Sequence, residues 1–315
     1  MDGTIAATSK TDARGKQKDK SPRLRKRSGF VFILPWFIGF LCFTAGPMLF
    51  SLVMSFMNWD YMQNMTFVGF ANYVKAFTQD PFFFPSIRRT LHFTAFAVPI
   101  QVVLGILIAN LFNKKLKGKK VFRALVYLPC VLSGAIYGLV WNNMLNTDFG
   151  VFNYFIQALG GEKVEWLADP KITIWALIMT AIWAAGMPMI LFLGAMQNIP
   201  DHYYEAAEID GAGGFRQFFS ITLPMITPTI LFVIILQLIS SFTVMAQVLA
   251  LTGGGPAKAT YLYSLLVYEN AFKYMKMGYA SALSWIMFLI VMGITIVLFL
   301  SSRKWVYYEE KGGNI

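Results

Sequence analysis

Charge is scarce in this chain. Only 14% of its 315 residues are Asp, Glu, Lys or Arg, against 57% hydrophobic and 16% aromatic, where a globular domain carries about 25% charged residues. Histidine and cysteine are scarcer, two of each. With His92 and His202 alone, a histidine-based metal or nucleophile site is not expected. Cys42 and Cys130 both fall inside apolar runs, where thiols behave as small buried hydrophobes and neither a disulfide nor a metal site is expected. The chain also lacks a GxxxxGK[ST] phosphate loop, HExxH, CxxC and GxSxG. The first absence excludes binding and hydrolysis of ATP by that route, and together they leave no recognisable catalytic cluster. The chain is not expected to be an enzyme or to bind a cofactor of its own.

What fills the sequence instead is long apolar runs. Six are found, at about Phe30 to Phe56, Thr90 to Phe112, Val121 to Trp141, Thr173 to Met196, Thr222 to Leu249 and Tyr279 to Ser301. Each is near or above the roughly 20 residues that cross a hydrocarbon core of about 30 Å. The expectation is an all-α, polytopic membrane protein with six transmembrane helices. The middles of the six runs carry no ionisable residue, so ion coupling through a midplane carboxylate is disfavoured. Sodium held by backbone carbonyls alone would escape that argument.

The net charge of +11 is distributed unevenly. With the N-terminus in the cytoplasm, 19 of the 27 Lys and Arg fall on inner segments, as the positive-inside rule requires. The basic charge therefore orients the chain with both termini cytoplasmic, and no nucleic-acid partner is expected. Residues 1–29 form a basic tail expected to be disordered, its Lys16 to Arg27 stretch able to lie on anionic lipid. The run after it is too long for a signal peptide and should stay as an anchor. Residues 30–89 hold the first span and its outer loop, 90–302 a five-helix core, and 303–315 a cytoplasmic tail.

Two outer segments have amphipathic character, Gly69 to Phe77 (GFANYVKAF) and Phe149 to Leu159, the latter preceded by Asn146-Thr147-Asp148 as a possible cap. Thr252-Gly253-Gly254-Gly255-Pro256 must turn sharply. Gly186-Met187-Pro188 should kink the fourth span, and Pro228 should bend the fifth.

The inner loop 197–221 breaks the charge pattern. Asp201, Glu205, Glu208 and Asp210 face a single Arg216 on a side that is otherwise basic. Asp201 is placed to cap a short helix ending near Ile209, with Glu205 and Glu208 on neighbouring positions of one face and Ala206 and Ala207 small enough for close approach. Gly211 suits a left-handed helix end. Phe215 to Phe219 should continue as a further turn with aromatics docked on the bundle. A helix of about ten residues is too short to stand alone; it packs either on its own bundle or in a cleft of a cytoplasmic partner.

The spacing of Glu205-Ala206-Ala207, Gly211, Ile221 and Leu223-Pro224 resembles the EAA loop of binding-protein-dependent ABC importer permeases. Thr252 to Pro256, Phe272 and Gly278-Tyr279-Ala280-Ser281-Ala282 are similar to the region before the last span in carbohydrate-uptake permeases of the maltose and glycerol-phosphate type, as is GFANYVKAF. The likeness covers about Phe30 to Tyr308. It implies a type I ABC importer permease fold in a bacterial cytoplasmic membrane. It also implies a second homologous permease, two ATPase subunits that bind ATP and Mg, and an external solute-binding protein that delivers a saccharide. By this resemblance Glu205, Ala206, Ala207, Glu208, Asp210 and Gly211 form the ATPase-coupling helix, and Gln237, Ser240 and Ser241 after the loop are candidate solute contacts. Trp183 and Tyr137 could add ring faces, although Ser, Gln and aromatics also serve as helix-to-helix packing. A neutral sugar is favoured because the spans lack a midplane cation. Glycerol phosphate esters, polyamines and amino acids are the nearest alternatives, and an ion-coupled secondary transporter is a more distant one.

Overall fold

Prolines set most of the irregularities in an almost wholly helical chain. The computed structural model describes residues 33–60, 65–114 and 117–307; the basic tail 1–29 and the end of the C-terminal tail lie outside them. Clustering of contacts divides the chain into two units at Phe50/Ser51, inside the apolar helix α1, Ile33–Ser55. Pro47 has no N–H for the Phe43 carbonyl. The turn before it, Leu41–Ala45, is a π turn in which the Gly46 N–H reaches back to the Leu41 carbonyl. Cys42 on this helix is exposed rather than buried as expected, and neither cysteine is paired. The helix presents its apolar side chains outward, the arrangement a bilayer solvates and water does not.

The second unit opens with a two-residue antiparallel ladder, β1 Met57–Asn58 with β2 Thr66–Phe67. The GFANYVKAF segment forms α2, Ala71–Thr78. Buried Asn72 ties it down through Nδ2, which donates to the Ser55 and Met57 carbonyls at 2.9 and 2.8 Å. The longest helix, α3, Phe83–Asn113, is one continuous span. The third apolar run is not the straight span expected over Val121 to Trp141. It forms α4, Lys119–Val131, and α5, Gly134–Met144, bent 104° apart. Pro129 weakens the end of α4. Leu132 and Ser133 are extended, and the Ser133 hydroxyl accepts the Ile136 N–H to start α5 afresh.

A short helix, α6, Val151–Ala158, follows. Its expected side-chain cap is absent: Gly150 occupies the cap position, and Asn146 Oδ1 instead accepts the N–H groups of Asp148 and Phe149 as a local turn. The fourth span, α7, Thr173–Gln197, tightens to 3-10 geometry at Trp183–Ala185. Pro188 has no donor for the Ala184 carbonyl, which instead faces Cys130 Sγ at 3.6 Å. At Gly186 an added Cβ would run into the Val126 carbonyl oxygen, so the α4 backbone lies directly on α7.

After the short helix α8, His202–Ile209, the fifth span is also broken. Helix α9, Gly214–Met225, meets α10, Thr227–Thr243, at 65°, as Pro228 foretold. The π turn Phe218–Thr222 precedes Pro224 as the one in α1 precedes Pro47. The run expected to reach Leu249 stops at Thr243. Val244 is extended and gives its carbonyl to the Ser264 hydroxyl at 2.7 Å, and a short α11, Ala246–Leu251, resumes beyond it. Helix α12, Tyr263–Tyr268, runs into a π turn at Glu269–Lys273, and α13, Met277–Ser302, is the last span. Among the described residues four helices are long and apolar enough to cross a membrane, or up to six if each bent pair is one span.

The core lies in two apolar clusters along α3. One gathers Phe93, Ala97, Tyr137, Trp141, Leu177, Ala181, Tyr263 and Leu283; the other gathers Val98, Val102, Ala109, Met189, Phe192, Met196 and Val233. They divide at Ala97/Val98, the middle of the helix.

Candidate coupling loop and solute path

The 197–221 loop is held on one side and bare on the other. Tyr203 and Tyr204 of α8 pack on the second apolar cluster, and the Tyr204 hydroxyl bonds Thr222 Oγ1 at 2.9 Å. Asp201 does not cap this helix: it is itself in helical geometry and its side chain makes no cap bond. At the other end the expected stop is present. Gly211 has φ +74, and the N–H groups of Gly211 and Ala212 return to the carbonyls of Glu208 and Ala207 at 3.0 and 2.8 Å, which satisfies two helix-end acceptors at once. That conformation strains any side chain with a Cβ.

No residue of α8 is buried. Glu205, Ala206, Glu208 and Asp210 are exposed, as are Ile209 at 88% and Phe215 at 81%. The aromatics of α9 divide: Phe218 docks on the bundle, while Phe215 and Phe219, ring centroids 4.7 Å apart, do not. The expectation that this aromatic turn docks as a whole is therefore corrected. A surface with carboxylates at one end and bare Ile and Phe at the other is poorly matched to water alone.

At the division between the two apolar clusters, side-chain amides and hydroxyls join the spans. Gln237 Nε2 on α10 donates to Gln101 Oε1 on α3 at 2.6 Å, and Gln101 Nε2 donates to the Ala181 carbonyl on α7 at 2.7 Å. Thr94 and Ser241 share a bond of 2.8 Å. Gln247 Nε2 donates to Thr180 Oγ1 at 2.7 Å, and the Tyr137 hydroxyl donates to the Thr180 carbonyl. Ser241 and Tyr137 are buried, so among the five candidate contacts these two spend their polar atoms on neighbouring helices. Ser240 is exposed, Gln237 is half-buried, and Trp183 is 37% exposed with its ring 5.4 Å from that of Tyr137. The structure thus brings Tyr137 and Trp183 together and puts Gln237 and Ser241 in two bridges from α10 to α3. Thr94, Gln101 and Thr180 were not singled out from sequence. The signal was present at Gln101, a lone amide inside the apolar stretch Val98 to Ile106.

In the loop after α11, Gly253 and Gly254 take positive φ, as do Ala257 and Lys258, and complete the expected sharp turn. Lys258 is held by the Tyr261 ring, 3.8 Å from its centroid, and by Glu269 at 3.8 Å. Burial pushes the Glu269 carboxyl up, but hydrogen bonds from Tyr261 and Lys273 and the charge of Lys258 outweigh that and hold it below the usual value.

Comparison with known proteins agrees with this arrangement. Residues 101–306 match the family described as binding-protein-dependent transport system inner membrane component. A probable ABC transporter permease protein, YesP of Bacillus subtilis, is 38% identical over 94% of this chain and 96% of its own. The multiple sugar-binding transport system permease protein MsmF of Streptococcus mutans is 38% identical over 89% of this chain and 97% of its own. A solved chain of a bacterial ABC transporter involved in import of the acidic polysaccharide alginate superposes with a TM-score of 0.76 at 25% identity, covering 89% of this chain and 96% of that one. On the loop, the spans and these matches together, the chain belongs to the family of binding-protein-dependent transport system inner membrane components, as a multi-pass membrane protein.

Proposed function

We propose that this protein is a permease subunit of an ATP-binding-cassette importer that moves a carbohydrate across the cytoplasmic membrane of a bacterium, with both termini inside. The observation that carries the reading is α8, a short helix fixed at Tyr203 and Tyr204 and otherwise bare. The sequence carries no GxxxxGK[ST] phosphate loop, so on this reading the energy enters from partner ATPase subunits that bind ATP and Mg, and α8 with Glu205, Ala206, Ala207, Glu208, Asp210 and Gly211 is the surface they grip. A second homologous permease completes the path, and an external solute-binding protein delivers the solute. A relative named for sugar transport and another named for trehalose/maltose transport, 34% identical over 85% of this chain and 91% of its own, support a saccharide. The exposed Ser240 with Gln237 and Trp183 beside the mid-span bridges offer hydroxyl-matching groups and a ring face for it; Ser241 and Tyr137 hold those groups in place.

Moving α8 pulls directly on α9 and α10 through the Tyr204–Thr222 bond, and α10 carries Gln237. The test is Glu205→Lys in the reconstituted complex: membrane insertion should be unchanged while saccharide-stimulated ATPase activity falls at least about tenfold, the effect of about 1.4 kcal/mol lost at the joint. Normal coupling in that variant would overturn the role of Glu205. A panel of saccharides, amino acids and polyamines on the same complex tests the solute class, and stimulation only by an amino acid or polyamine would overturn the carbohydrate assignment.

A further inference from the structure

The first turns of α3 carry two adjacent arginines for which the importer reading has no use. Arg88 is exposed and Arg89 half-buried, and both line a cavity of about 910 Å³ with Phe84, Leu91, His92 and Ile174. Arg89 Nη1 is buried and has no hydrogen-bond partner, and no carboxylate among the described residues pairs with either arginine. A guanidinium held away from water without an acceptor is costly, and an oxyanion is the ligand that removes the cost through paired N–H donors.

Depth and lining identify the source of that oxyanion. Helix α3 has 31 residues, so it is about 46 Å long, some 16 Å more than a hydrocarbon core of roughly 30 Å. Sharing the excess between its ends leaves an overhang of about 8 Å at each. Arg88 and Arg89, five and six residues from the start of α3, lie about 8 Å in at 1.5 Å per residue, at the level of the headgroups whichever way the chain is oriented. Below them the same face continues with His92 and then Phe96. Both rings stand edge to face with Trp175, at 5.0 and 4.8 Å, and Phe96, Leu91 and Trp175 are each more than 40% exposed. Cations above and exposed rings below form an amphipathic site, the reverse of a wet saccharide cleft.

We propose that this cavity binds the phosphate of an anionic phospholipid, with Arg88 and Arg89 as its ligands and the His92, Phe96 and Trp175 surface against its acyl chains. The purified full chain in detergent, titrated with phosphatidylglycerol or phosphatidylcholine and read by native mass spectrometry, should retain phosphatidylglycerol preferentially. Arg88→Ala/Arg89→Ala should reduce that retention at least about fivefold without changing retention of phosphatidylcholine. Arg89→Lys, which keeps the charge, should retain an intermediate amount and guards against misfolding of the double variant. Equal retention of the two lipids, or unchanged phosphatidylglycerol retention in the double variant, would overturn the proposal. So would displacement of phosphatidylglycerol by an oligouronate at equal concentration, which would make the site one for an acidic solute.

Discussion

Gln101 shows how much a single residue can connect. Its side-chain oxygen accepts from Gln237 and its nitrogen donates to the Ala181 carbonyl, so one amide joins three spans near the middle of α3. Replacing it with Leu keeps the volume and removes both bonds. Hydrogen bonds between membrane helices average about 0.6 kcal/mol with a maximum of about 1.7, so Gln101→Leu should destabilise the purified chain by about 1 kcal/mol, lowering its thermal midpoint by a few degrees in detergent. An unchanged midpoint would show that Gln237 finds another partner.

At the scale of elements, the 253–262 turn and the π turn that faces it form one electrostatic unit. Tyr261 donates to Glu269 at 2.6 Å, Lys273 donates to the other carboxylate oxygen at 2.9 Å, and Lys258 stands at 3.8 Å. A carboxyl held below its unfolded value contributes stability that is present above that value and lost as pH falls through the folded one. Acidification below pH 4.5, the ordinary value for this group, should therefore release residues 253–262 ahead of the spans. Protection of that segment, taken relative to the intrinsic exchange rate at each pH, should fall over that window, and Glu269→Gln should lower it at neutral pH already. A segment equally protected at all pH values in the wild-type chain would contradict this account.

The whole molecule contrasts anchored and unanchored surfaces. Helices α7 and α10 pack on α3, while α8 meets its own bundle only on the Tyr203 and Tyr204 side. Cysteine placed at Ile209, 88% exposed, should cross-link to an ATPase subunit in the assembled importer. Cysteine at Val233, 1% exposed, should not. Cross-linking equal to that buried control would remove α8 from the interface.

The apolar spans and the short helix α8 with its glycine stop were legible because each depends on local chemistry. Apolar length sets a crossing segment, and the Glu205 to Gly211 spacing combines a helix, a left-handed stop and small residues that any packing must respect. Pro188 and Pro228 marked the irregular turns of the fourth and fifth spans for the same reason: a missing N–H is a property of the residue. The 104° bend after Val131 and the stop at Thr243 were not legible, because the acceptors and donors that stabilise them come from remote segments, such as Ser264 for Val244. Which polar side chains meet at mid-depth was equally hidden. Composition showed that Gln237 and Ser241 lie in apolar helices, but only the crossing of α3, α7 and α10 decided that they face Gln101 and Thr94. The sequence by itself determined the solvent of each segment, and the tertiary structure decided which partners satisfy the few polar groups that solvent cannot.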